Sequence, residues 1–159
     1  MKRPDELSQL VRLRRLREEA ARLDFQQRRE ARDAAQAAVT ACEAEVTRLR
    51  RERMSLLQRA GHEHATAMPR LGLFTSTRRE MLDDLLERAE YALGDEEDGL
   101  QQAQEALDIA QAAWQRERAR CEAVQMLRDR VQRETRLVHA ARAERETDAA
   151  PRMAAWGAM

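Results

Sequence analysis

Apolar and small residues recur at helical spacing along two long stretches of this chain, separated by one short region that breaks the rhythm. In the first stretch Leu13, Leu16, Ala20, Leu23, Ala31, Ala34, Ala38, Cys42, Val46, Leu49, Leu56 and Ala60 thread onto one face, with Gln27 and Arg53 filling gaps. The mean step of about 3.6 residues is that of a straight α-helix, so strong supercoiling is not demanded. Pro4, Asp5 and Glu6 form a helix start, with proline tolerated in the first turn and carboxylates at the positive end of the dipole. The spacing predicts a helix over 4–60, which at 1.5 Å per residue is roughly 85 Å long.

The interruption spans 61–76, GHEHATAMPRLGLFTS. Gly61 supplies a left-handed residue after a helix, and Pro69 and Gly72 oppose continuation. Thr77 followed by Glu80 is a capping-box signature for a new helix. A loop is therefore expected over 61–76, with Leu71, Leu73 and Phe74 folded down over the open helix ends. The second helix is predicted over 77–147, with a cleaner seven-residue repeat. One seam position runs Leu82, Ala89, Glu96, Ala103, Ala110, Glu117, Val124, Val131 and Val138. The other runs Leu86, Leu93, Leu100, Leu107, Trp114 and Cys121 before decaying to Arg128, Thr135 and Arg142. Gly94 and Gly99 bracket an acidic run, Asp95 to Asp98, and a kink is expected at 94–99, because each glycine costs about 1 kcal/mol against alanine in a helix. Residues 149–159 are expected to be a disordered tail.

Two such helices joined once make an all-α protein, an antiparallel coiled-coil hairpin over residues 1–148. With the turn near residue 69, facing numbers sum to about 138 (an estimate from the pattern alone). Leu16 then meets the surroundings of Cys121, Leu23 those of Trp114, Ala31 those of Leu107 and Ala38 those of Leu100. The same register keeps Cys42 and Cys121 apart, so no disulfide is expected, and it leaves the second helix without a partner beyond roughly residue 135.

Composition agrees with this architecture. Ala, Arg, Glu, Leu and Lys make up 95 of 159 residues, and Ile, Leu, Val and Phe only 27, too few for a layered core. Five Gly and three Pro leave few turns, which argues against sandwiches, barrels and βαβ folds. Lys and Arg number 29 and balance 29 Asp and Glu; a protein whose main partner is nucleic acid carries a basic excess, so no nucleic-acid partner is expected. The charge is not uniform along the chain: net +5 over 1–60, −6 over 61–100 and +1 over 101–159. No apolar run reaches the ~18 residues of a membrane span, and the first ten residues lack a signal-peptide core, so no membrane insertion and a cytoplasmic location are expected.

The chemistry-bearing residues are few. His62 and His64 flank Glu63 without a third or fourth ligand nearby, so no metal is expected. The run 95–98 lacks the oxygen spacing of a calcium loop and reads as a solvated acidic face. Both cysteines fall on the seam and read as small buried residues. No phosphate-binding loop or nucleophile elbow occurs, no cofactor is expected, and the chain is read as non-enzymatic. More informative are the arginines. Arg12, Arg14, Arg15 and Arg17 crowd the start of the first helix; Arg116, Arg118, Arg120, Arg128, Arg130, Arg133 and Arg136 crowd the close of the second. In a hairpin these clusters share one end, either as solvated flanks offset by Glu18, Glu19, Glu117 and Glu122 or as donors for acidic loops of a partner.

These residues resemble the FliJ/YscO family, the central-stalk proteins of type III secretion systems. The likeness covers most of the chain: a Leu10-x-x-Leu13-x-x-Leu16-Arg17-Glu18 start, the alanine-rich stretch 31–44, an interrupted turn, Ala112-Ala113-Trp114 running into arginine-rich heptads, and an Ala143-Glu144-Arg145-Glu146-Thr147-Asp148 ending. Arginine-heavy, lysine-poor usage suits a GC-rich proteobacterium and inclines the likeness to injectisome members of the YscO or Hrp type over the flagellar FliJ. The acidic Gly94–Gly99 element departs from the family's pattern. The resemblance implies a stalk whose paired terminal helices enter the hexameric secretion ATPase, stimulate its assembly and hydrolysis and link it to the export gate protein. It implies a place at the cytoplasmic side of the inner membrane, peripheral to the secretion apparatus.

On that reading Arg12, Arg14, Arg15, Arg17, Arg128, Arg130, Arg133 and Arg136 are the candidate ATPase-facing residues, and Leu71, Leu73 and Phe74 are candidates for binding secretion chaperones or the gate. Two alternatives stand beside it: an escort module for secretion chaperones, and a structural coiled coil that self-associates through its weak seam.

Overall fold

A computed structural model describes the backbone of 4–63 and 69–156, with side chains over 5–61 and 72–148. All of it is helical: α1 (Pro4–Glu63) and α2 (Pro69–Trp156) pack against one another as a helical hairpin. Two compact units divide the chain, one built from residues 25–110 and the other from 1–24 with 111–159.

The unit formed by 25–110 carries the larger apolar cluster. Val46 and Leu49 of α1 interlock with Leu82 and Leu86 of α2, all buried, and Leu56, Ala89 and Leu93 pack around them. Ion pairs fix the strand sense: Arg50 reaches Glu90 at 2.7 Å and Arg53 reaches Asp83 at 2.8 Å, so α2 numbers fall as α1 numbers rise. The paired numbers add to 140 and 136, on either side of the register expected from the sequence. On the outer surface Arg48 clasps Glu45 and Glu52 along α1, and its hydrogen bonds hold the Glu45 carboxyl below the usual carboxylate range.

In the other unit Leu7 and Val11 of α1 are buried, as is Cys121 of α2, and Arg14 meets Glu117 across the seam. The α2 seam reads in heptads as expected. Every seam position from Leu82 to Ala110 in the one unit, and from Trp114 to Val131 in the other, is buried or half-buried. Beyond Val131 the repeat ends in water: every side chain from 132 to 148 is exposed.

The α1 seam is another matter. Its buried and half-buried positions include Leu7, Val11, Arg14, Glu18 and Ala21 in one unit and Phe25, Arg32, Ala35, Val39, Cys42, Val46, Leu49, Arg53, Leu56 and Ala60 in the other. These steps alternate three and four (with one seven) and average 3.5, the coiled-coil period rather than the 3.6 of the expected thread. Leu13, Leu16 and Leu23 are 55, 64 and 49 % exposed, and Ala20, Ala31 and Ala34 are exposed too. The side chains of Leu16, Leu23 and Ala31 thus face water instead of the seam, and it is Glu18, near Leu16 in the chain, that reaches Cys121. The physical reason is that Arg14, Glu18, Arg32 and Arg53 occupy seam positions. Their aliphatic stems cover the interface while their heads reach its edge, and the leucines follow a second line on another side of the helix.

The interruption is shorter than the sequence suggested. Gly61 and Gly72 are both helical, and no described glycine has positive φ. α2 starts at Pro69, a favoured first helical residue, and with that start in place Thr77 does not cap. Its hydroxyl instead donates back to the Leu73 carbonyl at 3.0 Å, as Thr75 does to Gly72 at 2.9 Å. Leu73 and Phe74 do not fold down over the helix ends; they stand 74 and 69 % exposed, and the side chain of Leu71 lies outside the described residues. α2 also passes through Gly94 and Gly99 unbroken and continues to Trp156, so residues 149–156 of the expected tail are helical in backbone.

Two stability outcomes follow. Leu82→Ala is expected to cost about 2–4 kcal/mol by opening a void in the central cluster, whereas Leu13→Ala changes stability by under about 0.5 kcal/mol; urea midpoints check the contrast. At Gly94 and Gly99 an added Cβ meets nothing within 4 Å, so Ala at each is expected to raise stability by roughly 0.5–1 kcal/mol, read as a higher urea midpoint.

Candidate functional site

Both arginine clusters belong to the unit built from 1–24 and 111–159. Their side chains differ in what they are free to do. Arg14 is half-buried, its Nη1 3.6 Å from Glu117 Oε2, and Glu117 also accepts a 2.5 Å hydrogen bond from Arg120 one turn along α2. Arg128 likewise sits at a seam position, half-buried, with its guanidinium on Asp129 at 2.8 Å. Arg130 is exposed but tied to Glu134 at 3.0 Å, and Arg133 donates to the Asp129 carbonyl at 3.3 Å. Arg12, Arg15, Arg17 and Arg136 are exposed, and none pairs with a carboxylate among the described residues. Of the eight candidate arginines, these four present an open guanidinium to a partner.

The neighbouring thiol is closed off. Cys121 is 1 % exposed and accepts a 3.4 Å contact from the Gln125 amide. Burial pushes its pKa up, the charge and hydrogen bond of Glu18 push it further, and the nearby Arg15 charge opposes them. A thiol held protonated in this way is a poor nucleophile and a poor metal ligand. Cys42 is half-buried, and both cysteines are free thiols. No group of three or more metal-ligating side chains occurs among the described residues; the side chains of His62 and His64 lie outside them.

Two concave surfaces accompany the arginines and the turn. In the arginine-bearing unit, Leu7, Leu127, Val131 and Val138 line a groove of about 550 Å³, edged by Thr135, His139, Glu134 and Arg142. It forms because α2 carries its apolar line past the start of α1. In the 25–110 unit, Leu56, Leu57, Ala60, Thr75 and Arg79 border a shallow cleft of about 630 Å³ near Leu73 and Phe74. Asp95, Glu97 and Asp98 are exposed, the solvated acidic face expected of them, whereas Glu96 is half-buried at a seam position.

Sequence reasoning grouped the clusters but missed the cross-seam pair. Its signal was present: Glu117 already stood at a seam position of α2, and a charged seam residue calls for an opposite charge on the facing helix. No helix among the described residues is long and apolar enough to cross a membrane. No family model, curated protein or solved structure matches the chain.

Removing Glu117 leaves Arg14 half-buried without its carboxylate, whereas removing Arg14 leaves Glu117 answered by Arg120 alone. Glu117→Leu alone is expected to lower stability by about 1–2 kcal/mol and Arg14→Leu by less, while the double leucine variant recovers to wild type or above. Denaturation of the three variants checks this.

Proposed function

We propose that this chain is a non-enzymatic central stalk of a type III secretion export apparatus. In this reading the paired terminal segments enter the hexameric secretion ATPase, promote its assembly and hydrolysis, and link it to the export gate protein. Support comes from the sequence likeness to the FliJ/YscO family together with one structural observation. A single unit joins both chain-terminal segments and displays Arg12, Arg15, Arg17 and Arg136 unpaired on its surface. A two-helix unit has no six-fold symmetry, so inside a ring it contacts the subunits unequally. Unequal contact favours a different nucleotide state in each subunit, a population shift by differential affinity. The open arginines supply charge for acidic loops lining such a ring. Injectisome membership and a place beside the inner membrane belong to the same proposal.

Exposure of Leu73 and Phe74 favours a second reading, in which the chain also escorts secretion chaperones from the first turns of α2. The experiment mixes the full chain with the purified hexameric ATPase and measures hydrolysis. Stimulation is expected, and reversing Arg12, Arg15, Arg17 and Arg136 to Glu is expected to reduce it at least about tenfold, the equivalent of 1.4 kcal/mol. No stimulation, or stimulation indifferent to these reversals, overturns the stalk reading. Leu73→Ser/Phe74→Ser should leave hydrolysis intact and abolish chaperone capture if escorting is real.

A further inference from the structure

The start of α1 has two apolar lines rather than one. Leu7, Val11 and Ala21 are turned toward α2 and are buried or half-buried. Leu13, Leu16, Ala20 and Leu23 are all exposed and, at 100° per residue, cluster within an arc of about 80° on the opposite side of the helix. Leu13, Leu16, Ala20 and Leu23, at successive steps of three, four and three on a solvent face, form the seam of a coiled coil that lacks its second strand among the described residues.

The flanks specify what that strand must be. Arg12 borders the stripe on one side and Arg17 on the other, beside Leu13 and Leu16, and neither pairs with a carboxylate among the described residues. Glu19, further along, is already engaged by Arg22 at 3.6 Å. The unanswered charge around the leucines is therefore positive. A second copy of the chain does not supply the answer. Aligned antiparallel to bury all three leucines, two copies set Arg17 against Arg17 and Glu19 against Glu19; aligned parallel, they set Arg12 against Arg17 and Glu19 against Asp24. Like charges at flanking positions select against such pairing.

We infer that the outer face of α1 over Leu13–Leu23 is a docking site for an acidic amphipathic helix of another protein, one with apolar residues at heptad spacing and carboxylates on both flanks. The site lies on the surface of one unit, and it stands whether or not the chain stimulates an ATPase. Carboxylates from the incoming helix answer Arg12 and Arg17, and the leucines leave water as it lies down.

A fluorescently labelled synthetic peptide of four heptads, Leu at a and d and Glu at e and g, is the probe, and anisotropy against the full-length chain at low salt is the measurement. Binding is expected, together with weakening as salt rises. Leu13→Ser/Leu16→Ser/Leu23→Ser should weaken it at least about tenfold, and Arg12→Glu/Arg17→Glu should do the same, both variants retaining the helical circular dichroism of the parent because all five positions are exposed. Val131→Ser/Val138→Ser, in the α2 groove, should leave it unchanged. The inference is overturned if a peptide with Lys at e and g binds equally well, if the serine variant binds like the parent, or if the loss appears only in the α2 groove variant. It is also overturned if sedimentation shows a dimer of the parent chain that the serine variant abolishes, since a second copy would then cover the stripe.

Discussion

What holds this hairpin in register is a narrow seam into which charges have been set. In one unit Arg14 of α1 faces Glu117 of α2; in the other Arg53 reaches Asp83 at the seam, and Arg50 reaches Glu90 on its exposed flank. Slipping either helix by one turn would strand these groups against apolar neighbours, and reversing a helix would bring them onto the wrong partners. Their contribution to stability is small, because half-exposed pairs gain little over hydration. Their contribution to specificity is larger, since a polar residue at a seam position excludes alternative alignments. Stabilisation comes instead from Val46, Leu49, Leu82 and Leu86, whose burial removes four large apolar side chains from water.

Such a seam explains which parts of the fold were legible in the sequence. α2 could be read because its apolar residues occupy both heptad positions over long stretches, and Glu96 and Glu117 are isolated exceptions. α1 could not be read as easily near its start, where the buried line contains Arg14 and Glu18 and the more conspicuous leucines point away. A rule that follows the leucines picks the wrong side. The turn was misjudged for a related reason: Gly61, Gly72 and Thr77 are strong local stop and start signals, yet a helix already begun at Pro69 carries through them, because each glycine costs only about 1 kcal/mol. The grouping of the arginines was legible from topology alone. Which of the α1 arginines stay open was not, because that depends on the rotation of α1 about its own axis.

That rotation also connects structure to role. It consumes Arg14 in the seam and leaves Arg12, Arg15 and Arg17 facing water, so the unit that carries the chain-terminal segments offers charge without spending its own packing. It turns Leu13, Leu16 and Leu23 outward as well, so the first turns of α1 are amphipathic twice over. A helix of this kind can bind a further partner while its hold on α2 is undisturbed.

Every side chain of α2 from 132 to 148 is exposed, and among the described residues only Leu7 of α1 shares a groove with this run. Near-neighbour contacts such as Arg130 with Glu134 help keep it wound. A solitary helix in water unravels from its free tip, and its charge contacts fade with ionic strength. How far this segment reaches is thus governed by temperature and salinity instead of by interior packing, and a binding partner that clasps it must first supply the ordering that the hairpin does not.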